Sequence, residues 1–288
     1  MDSLDEIRKQ RASAWAAKNP KASETSRSRS RSPRVIPKPS EVTPLRVLTW
    51  NIDGLDNHSD EIDILGRTLW VIDQIATLCP HVVFLQELIE YNYSILFQKL
   101  GSAYHFIKQE NCAQPYFVAI LIHKRTMEYH SPGRIPFPTS KMGRSAVYLK
   151  ARLQGTTEWI GFITAHLESL AESSVERKSQ LNLCLDHATG PTLFGGDLNI
   201  RDTEVPSHLT DCWVLAGSNK EHQYTWDMSR NDNPKMTGKP RCRFDRLYAL
   251  NFEPLITKFE LVGTERVVGL GRFASDHFGI FLEIAIKL

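Results

Sequence analysis

Four short polar clusters mark the chain, and each of them adjoins an apolar run with the composition of a β-strand. They read Trp-Asn-Ile-Asp at 50–53, Leu-Gln-Glu at 85–87, Gly-Asp-Leu-Asn at 196–199 and Ser-Asp-His at 275–277. Carboxylate and amide oxygens are the ligands that Mg²⁺ prefers, and such an ion can assist the attack of water on a phosphodiester. The chain is therefore expected to fold so that strand ends far apart in sequence meet at one site.

The apolar runs around these clusters predict a mixed α/β fold. Runs at 46–50 and 82–85 have strand composition, and between them apolar residues from Ile62 to Leu78 recur at helical spacing before Pro80 ends the pattern. Further strands are predicted at 117–122, 146–149, 159–165, 192–194, 243–248 and 279–286, with a second helix at 175–186. Many strands and few helices predict a two-sheet β-sandwich flanked by helices.

Composition divides the chain near residue 44. Residues 1–44 are polar, contain an Arg/Ser-rich tract at 27–34 and carry 10 Lys and Arg against 5 Asp and Glu, which leaves 25 against 28 for the rest. Such a segment buries too little apolar area to offset the entropy of ordering it. We therefore predict a disordered basic tail at 1–44 and a single domain at 45–288, which would carry the candidate phosphodiesterase site. Because that domain is not basic, its contact with nucleic acid should be local.

Cysteine spacing and hydropathy give expectations about the compartment. The five cysteines lie at least 28 residues apart without a Cys-x-x-Cys pair, which favours a reducing compartment over a zinc knuckle or a disulfide framework. No apolar stretch approaches the roughly 20 residues that a bilayer span needs, so no membrane contact is expected. The Arg/Ser tract has the composition of a nuclear-import or phosphorylatable segment. We expect a nuclear protein, with the cytoplasm as a second location.

Asp197 and Asn199 follow the strand predicted at 192–194 and lie two residues apart. If the backbone stays extended, both side chains leave the same face of the strand and can meet one phosphate. Asp197 would then accept a proton from the attacking water, and Asn199 would donate amide hydrogens to that water or to a phosphoryl oxygen. A plain strand-to-turn junction, where Asp, Asn and Gly are common, remains an alternative.

A carboxylate at the end of another predicted strand is a candidate metal ligand. Glu87 follows an apolar run that reads as a buried strand, where a carboxylate is costly unless it is paired or binds a metal ion. Asn51 and Asp53 have the same two-residue spacing at a strand end, so an amide and a carboxylate could lie beside the same ion. An Asx turn at 51–54 is the alternative interpretation.

Two histidines are candidate partners of the phosphate. Asp276 precedes His277, and a neighbouring carboxylate can orient the imidazole and favour its protonated form, which stabilises charge on phosphate oxygens. His166 ends the run at 159–165 and is a second candidate donor, although a histidine at a strand end is more often structural. No HExxH, GxSxG or GxxxxGK[ST] motif occurs, which argues against a zinc protease, a serine hydrolase and a nucleotide kinase.

The four polar clusters, in the order in which they occur along the chain, resemble the sequence pattern of the exonuclease-endonuclease-phosphatase superfamily. Longer strings, at 49–56, 166–169, 196–202, 224–227 and 243–246, are similar to the tyrosyl-DNA phosphodiesterase branch of that superfamily. The resemblance implies a DNase I-like α/β sandwich with the site at one edge. It also implies Mg²⁺-dependent hydrolysis, with Mn²⁺ as a substitute ion, of the bond between a DNA 5′-phosphate and a topoisomerase tyrosine during DNA repair.

The same resemblance implies roles for individual residues. Glu87 would be a metal ligand with Asn51 and Asp53 beside it, and Asp197 would activate water. Contacts to the phosphate and the transition state would come from Asn199, His166, Ser169 and His277, with Asp276 orienting His277.

The implied substrate is a DNA 5′ end, single-stranded or frayed, that carries a tyrosine or peptide adduct. Trp226 would stack on bases, because an aromatic side chain among polar neighbours is a suitable platform for them. The substrate contacts are predicted at Tyr116, Ser169, Arg201, Trp226 and Arg243. The enzyme is expected to act as a monomer.

Other functions share much of this pattern. An abasic-site endonuclease, an inositol polyphosphate 5-phosphatase and a deadenylase of the same fold would keep Asn51, Glu87, Asp197, Asn199 and His277. The strings at 49–54 and 166–169 argue against them, as does a core that is not basic enough to bind duplex DNA tightly. A non-catalytic adaptor that recruits partners through its Arg/Ser tail is the alternative from a different class.

Overall fold

Two six-stranded β-sheets lie face to face in the computed structural model, which describes residues 44–110 and 114–285. The predicted tail lies outside these residues except for its last position. The described elements up to the middle of the chain are β1 (Leu45–Asn51), α1 (Glu61–Leu78), β2 (Val82–Ile89), α2 (Glu90–Leu100), β3 (Tyr104–Lys108), β4 (Tyr116–His123), β5 (Met127–Pro136), β6 (Ser145–Leu153) and β7 (Ile160–His166). They are followed by α3 (Ser174–His187), β8 (Thr192–Asp197), β9 (Thr210–Asp211), α4 (Cys212–Leu215), β10 (Trp226–Asp227), β11 (Arg241–Cys242), β12 (Asp245–Leu250), β13 (Leu255–Val262) and β14 (Gly279–Ala285).

The first sheet has the strand order β13-β14-β1-β2-β4-β3, and the second has the order β5-β6-β7-β8-β12-β9. β1 and β2 are parallel, as are β7 and β8, whereas the other pairings are antiparallel. A short hairpin of β10 and β11 stands apart from both sheets. The predicted fold class, a two-sheet α/β sandwich flanked by helices, is confirmed.

Buried apolar side chains fill the space between the sheets and the space under the helices. The inner faces contribute residues such as Phe84, Phe162 and Phe278 to a central core. α1 and α2 pack on the outer face of the first sheet, and α3 packs on the outer face of the second. None of the helices in the described part of the chain has the length and apolar content to cross a bilayer.

Most predicted elements occur, but besides the two- to four-residue elements β9, β10, β11 and α4, the prediction missed four longer elements. Three of them, β3, β5 and β13, are edge strands whose outward side chains stay exposed, so they lack the continuous apolar run of a central strand. The fourth, α2, follows β2 without a break and reads as part of the same apolar stretch. The strand predicted at 243–248 begins two residues late, at Asp245.

Strand pairing brings the sequence clusters together at one edge of the sandwich. Asn51 lies opposite Gln86 in the parallel pair β1–β2, and Asp197 lies opposite both His166 on β7 and Asp245 on β12. Gln86 is fully buried beneath this edge and joins the sheets, because its Nε2 donates to Thr49 Oγ1 at 3.2 Å and to Thr164 Oγ1 at 3.0 Å. The ends of parallel strands therefore deliver the site residues to one place.

The close approach of β8 to β12 depends on a glycine. A Cβ at Gly195 would lie 2.2 Å from the carbonyl oxygen of Arg246, so Gly195→Ala must separate the strands that carry Asp197 and Asp245. We expect this change to destabilise the protein by roughly 1–3 kcal/mol, as overpacking of a core does, and to lower activity. Thermal unfolding checks this. Gly190→Ala is the control, because a Cβ there meets nothing within 4 Å, and an equal loss in both variants would contradict the explanation.

Candidate active site

Three residues of the clusters adopt left-handed backbone conformations. The φ angles of Asp53, Glu87 and Asn199 are 49°, 55° and 50°, which is unusual for residues with a side chain. Glu87 lies in a bulge of β2, where the register with β4 shifts. Such conformations cost free energy and persist at sites where the surrounding structure fixes them. These bends set the directions of three side chains around the site.

Asx turns produce two of these bends. The backbone N–H of Asp53 donates to Asn51 Oδ1 at 3.0 Å, and that of Asn199 donates to Asp197 Oδ1 at 3.1 Å. The expectation that Asp197 and Asn199 share one face of an extended strand is therefore wrong, because the strand ends at Asp197 and the turn reverses the next residues. Asn199 Nδ2 instead donates to the carbonyl oxygen of Leu167 at 3.2 Å.

A buried carboxylate lies at the centre of the cluster. Asn51 Nδ2 donates to Asp197 Oδ2 at 2.8 Å and to Glu87 Oε1 at 3.2 Å. His166 Nε2 lies 3.2 Å from the same Asp197 oxygen and 3.8 Å from Glu87 Oε1. Asn51 and His166 thus bridge the two carboxylates, and four residues from four different strands form one polar group.

Burial makes negative charge costly here. Burial, reinforced by the charge of Asp276, raises the pKa of Glu87 to about 7, and burial raises the pKa of Asp197 to about 6. Burial and Asp276 also raise the pKa of Asp53 well above its usual value. Burial, together with Arg144, lowers the pKa of His166, so this imidazole is neutral and adds no positive charge. The carboxylates repel one another, and a bound cation would relieve that repulsion.

The donor set fits a divalent cation. One ligand atom each from Glu87, His166 and Asp197 lies within 4.8 Å of the others, and Asp197, Asp245 and His277 form a second such group among the described residues. Carboxylate oxygens dominate both groups, which is the donor chemistry of hard ions. The structure thus contains a candidate metal site that includes the predicted ligand Glu87, whereas the predicted ligand Asp53 belongs to neither group and pairs with Arg67 at 3.2 Å.

His277 is oriented by a residue that the sequence analysis did not identify. His277 Nδ1 lies 2.7 Å from Asp245 Oδ2, whereas Asp276 Oδ1 is 4.0 Å from Nε2. The prediction that Asp276 orients His277 is therefore wrong, because the Asp276 carboxylate accepts a hydrogen bond from Trp226 and is too far from the imidazole to form one with it. Asp245 was overlooked within the string at 243–246, although its position opposite Asp197 on β12 places it at the site.

Its carboxylate neighbours keep the His277 imidazole charged. Burial lowers the pKa of His277, but the charges of Asp245, Asp276 and Asp197 outweigh burial and raise that pKa well above the usual value. His277 Nε2 faces Asp197 Oδ2 at 3.8 Å. The site therefore combines a neutral imidazole, His166, with a charged imidazole, His277, on either side of Asp197.

Asp276 has a different environment from the predicted one. Its Oδ2 accepts a hydrogen bond from Trp226 Nε1 at 3.2 Å, and its charge raises the pKa of Glu87 and of Asp53. The half-buried Trp226 ring lies 5.7 Å from the Phe244 ring, which in turn is 6.4 Å from His277. Trp226 thus borders the acidic centre on the His277 side, at a position suited to a substrate contact.

A second missed residue, Arg144, borders the centre beside Tyr116 and Ser169. Its Nη1 donates to Ser169 Oγ at 2.9 Å, and its guanidinium lies 5.5 Å from the centre of the Tyr116 ring. The Tyr116 ring is 6.1 Å from that of His166. Tyr116 and Ser169 are therefore beside the centre, together with a permanent positive charge. Arg144 follows a turn and carries no pattern of its own in the sequence, so no signal pointed to it.

The two remaining predicted substrate contacts differ in their environment. Arg201 is exposed at the edge of the site, where its charge reaches the half-buried Cys242. Arg243 is buried, and its guanidinium pairs with Asp211 and lies 4.4 Å from the centre of the Trp213 ring. The assignment of Arg243 to the substrate surface is wrong, because a buried carboxylate and an aromatic face hold the guanidinium inside the fold.

Arg243→Ala is expected to affect stability and leave substrate affinity unchanged. Removing the guanidinium of a buried ion pair leaves its carboxylate partner, Asp211, poorly compensated, which costs roughly 3–5 kcal/mol of stability. Because Arg246 lies 3.4 Å from the same Asp211 oxygen, we expect a loss at the lower end of this range. Urea unfolding and KM check this. Arg201→Ala is the exposed counterpart and should keep wild-type stability. A raised KM with unchanged stability in the Arg243 variant would contradict this assignment.

The fold and site define a class of protein. Two packed sheets deliver a buried Asp, an amide, a candidate metal ligand and an Asp-bound imidazole to one edge, as the hydrolysis of a phosphate ester requires. A model of the Endonuclease/Exonuclease/phosphatase family matches residues 48–277. The chain belongs to this family.

Individual relatives narrow the comparison. Tyrosyl-DNA phosphodiesterase 2 of Homo sapiens is 34% identical over 257 residues, which cover 84% of this chain and 68% of that protein. The Gallus gallus protein of the same name is 34% identical over 260 residues, covering 84% of this chain and 67% of that protein. The predicted resemblance to tyrosyl-DNA phosphodiesterases is confirmed.

Solved structures agree with this comparison. The structure of Danio rerio TDP2 complexed with a single-strand DNA product has a TM-score of 0.77 and 30% identity, covering 85% of this chain and all of that one. Truncated Caenorhabditis elegans TDP2 has a TM-score of 0.76 and 32% identity, covering 84% of this chain and 98% of that one.

Proposed function

We propose that this protein is a phosphodiesterase that hydrolyses the bond between a DNA 5′-phosphate and a tyrosine side chain, leaving a 5′-phosphate, in DNA repair. The observation that carries this function is the convergence of Asp197, Glu87 and Asp245-bound His277 at one edge of the sandwich. The similarity to tyrosyl-DNA phosphodiesterase 2 over most of the chain supports this substrate over the other esters that the family hydrolyses.

Asp197 is the proposed proton acceptor of the attacking water. A general base works best when its pKa is near the working pH, and burial raises the pKa of Asp197 towards that range. Asn51 Nδ2 holds the carboxylate from one side at 2.8 Å, and the neutral His166 lies on another side. The charged His277 would stabilise the negative charge that develops on the phosphate, and Asn199 would contribute an amide donor.

The leaving group fits this arrangement. A tyrosine phenol has a pKa of about 10 when free, so it leaves as a phenolate more readily than a sugar alkoxide does. Strong protonation of the leaving oxygen is therefore unnecessary. Positive charge near the phosphate is still required, and Arg144 and His277 provide it, since the charges of both lower the pKa of Asp197.

A divalent ion completes the proposal, with Mg²⁺ as the physiological ion and Mn²⁺ as a substitute. Glu87 would be its principal protein ligand, with Asn51 and Asp53 beside it. Such an ion, when bound, neutralises phosphate charge and polarises the phosphoryl oxygen. Arg67 positions this part of the site, because its guanidinium donates to Asp53 Oδ2 at 3.2 Å and to the carbonyl oxygen of Ala274 at 2.8 Å.

The substrate is proposed to be the single-stranded or frayed 5′ end of DNA, with a tyrosine or peptide still attached. Trp226 offers a half-buried aromatic face beside His277, on which a base could stack for roughly 1–3 kcal/mol. The formal charge of residues 45–288 is negative, which suits a local contact with one strand better than tight binding of duplex DNA.

Three substrates test this function. The full chain is given a 5′-phosphotyrosyl oligonucleotide, an abasic duplex and an inositol polyphosphate, each with Mg²⁺ or with EDTA. We expect preferential turnover of the first substrate and loss of that turnover in EDTA. A preference for either of the others would contradict the proposed substrate, turnover in EDTA would contradict the role of the metal, and inactivity on all three would favour the adaptor.

Location and assembly are further parts of the proposal. The Arg/Ser tract at 27–34, outside the described residues, supports a nuclear location with some protein in the cytoplasm. Fluorescent fusions with and without residues 27–34 test this, and an unchanged distribution would contradict a role of the tract. We also propose that the protein is a monomer, and a mass in solution larger than that of one chain would contradict this.

A further inference from the structure

Arg144 is held in place by contacts at its guanidinium and at its backbone. Its Nε lies 3.3 Å from the Tyr116 hydroxyl, and its Nη1 donates to Ser169 Oγ and to the carbonyl oxygen of Leu167. That carbonyl oxygen also accepts a hydrogen bond from Asn199 Nδ2. The backbone N–H of Arg144 donates to Ser140 Oγ at 2.9 Å, and Ser140 lies at the start of the turn that leads into β6. The position of Arg144 therefore depends on this turn.

A buried carboxylate that the mechanism does not use fixes the same turn. Glu168 is 1% exposed and lies between His166 and Ser169 in sequence, yet its side chain points away from the acidic centre. Its Oε1 accepts from the backbone N–H groups of Lys141 and Met142, at 2.9 and 3.0 Å. Its Oε2 accepts from Ser140 Oγ at 2.8 Å. The chain of contacts thus runs from Glu168 through Ser140 to Arg144.

α3 anchors Glu168 from the other side. Gln180 Nε2 donates to Glu168 Oε2 at 3.0 Å, while Gln180 Oε1 accepts from the Glu168 backbone N–H at 2.8 Å. Arg177 Nη1 also donates to the Glu168 carbonyl oxygen at 2.8 Å. Burial raises the pKa of Glu168, but the hydrogen bonds from Gln180, Ser140 and Met142, with the charge of Arg144, outweigh burial and lower it overall. Hydrogen bonds thus hold both carboxylate oxygens and the backbone of Glu168, and the carboxylate stays charged.

We propose that Glu168 is a positioning residue of the proposed hydrolysis: its carboxylate fixes the turn at 140–142, and the turn holds the Arg144 guanidinium beside Tyr116, Ser169 and the acidic centre. The inference rests on the proposed function, since it concerns how that site is assembled. Glu168 itself touches no reacting atom. Its effect on catalysis passes through the position of one positive charge.

Glu168→Gln is a sharp test because all four partners of the carboxylate are donors. The amide has the same shape, but it offers one acceptor oxygen and one NH₂ group. Either the two backbone N–H groups or Gln180 Nε2 must then face another donor, because only the Ser140 hydroxyl can turn and accept. Thr139→Val is the matched control, because Thr139 Oγ1 joins the same turn to Glu176 through an exposed bond at 2.9 Å.

The decisive measurement is a double-mutant cycle on kcat/KM with the full-length protein. We expect Glu168→Gln to lower kcat/KM by about ten- to a hundredfold, as misplacement of a charged group by about 1 Å does. In an Arg144→Ala background the same change should have less than about a twofold effect, because the group it positions is already gone. Thr139→Val should stay within about twofold of the wild type. Losses that multiply in the double variant would show a general structural effect and overturn the proposal.

Two further readouts keep the inference testable. Ser140→Ala removes only the link between Glu168 and the Arg144 backbone, and it should reproduce the catalytic loss if Glu168→Gln does not fold. Amide hydrogen exchange at 140–142 should speed up in the Glu168 variant and stay unchanged in the Thr139 control. Unchanged exchange or wild-type kcat/KM in the folded variant would overturn the proposal.

Failure of the proposed function gives a different result. In that case the wild type itself does not cleave the 5′-phosphotyrosyl oligonucleotide. The cycle is then measured on whichever phosphodiester the wild type does cleave, and the exchange measurement needs no substrate. The positioning role of Glu168 is therefore decided whichever substrate is correct.

Discussion

Asp197→Asn is expected to lower kcat by about 10³-fold or more, because the amide cannot accept the proton of the attacking water. The protein should still fold and still bind the 5′ end. Asn has the same shape as Asp and lacks the charge that burial disfavours, but one of the two donors to Asp197, the Asn199 N–H or Asn51 Nδ2, then faces the new NH₂ group, so some stability is lost. Single-turnover kinetics and the affinity for a product oligonucleotide check the two halves of this prediction.

The control for Asp197→Asn is the same substitution at an exposed aspartate nearby. Asp202 has a side chain that is 75% exposed and pairs with Arg246, so Asp202→Asn should keep nearly wild-type turnover. A fully active Asp197 variant would show that another group activates the water. Loss of both binding and folding would show that Asp197 is mainly structural.

Asp245→Asn is expected to lower kcat by about 10²- to 10⁴-fold, although Asp245 does not contact the phosphate in the proposed mechanism. Asp245 accepts from His277 Nδ1 at 2.7 Å, and its charge is the largest of those that raise the pKa of His277. The amide would allow the ring to turn and would remove most of the support for its charged form. Steady-state kinetics of the variant measure the loss.

The loss in the Asp245 variant should depend on pH. The pKa of His277 is raised in the wild type, so the ring is protonated throughout the neutral range and its contribution is lost only as pH rises through that raised pKa. Without the Asp245 charge the pKa falls, so protonation is lost at lower pH and the defect grows as pH increases. His277→Gln should show a loss without this pH dependence. If kcat of the Asp245 variant falls below the wild-type value by about the same factor at pH 6 and at pH 8, that result would contradict the charged state of His277.

The parts of the site that the sequence predicted share a local signal. Asp197, Glu87 and Asn51 each follow an apolar run, and parallel strands bring such ends to one edge of a sheet. The central strands β2 and β4 contain continuous apolar runs, since both of their faces are covered. Fold class and the acidic centre could therefore be predicted from patterns of a few residues.

The parts that could not be predicted depend on contacts between distant residues. Asp245 acts through the register of an antiparallel pair, and Arg144 acts through a turn that Glu168 fixes from another segment. Arg243 was predicted as a substrate contact, but Asp211 and Trp213 hold its guanidinium inside the fold. The bend at Asn199 arises from a backbone hydrogen bond to Asp197, which a rule for extended strands does not include.

The most direct test of the account is the fate of the water oxygen. The full-length protein hydrolyses a 5′-phosphotyrosyl oligonucleotide with Mg²⁺ in H₂¹⁸O, and the masses of both products are measured by mass spectrometry. Attack of water on phosphorus predicts one ¹⁸O in the 5′-phosphate of the DNA and an unlabelled tyrosine hydroxyl. An intact tyrosine linkage, cleavage between nucleotides or label in the tyrosine would contradict the proposed reaction.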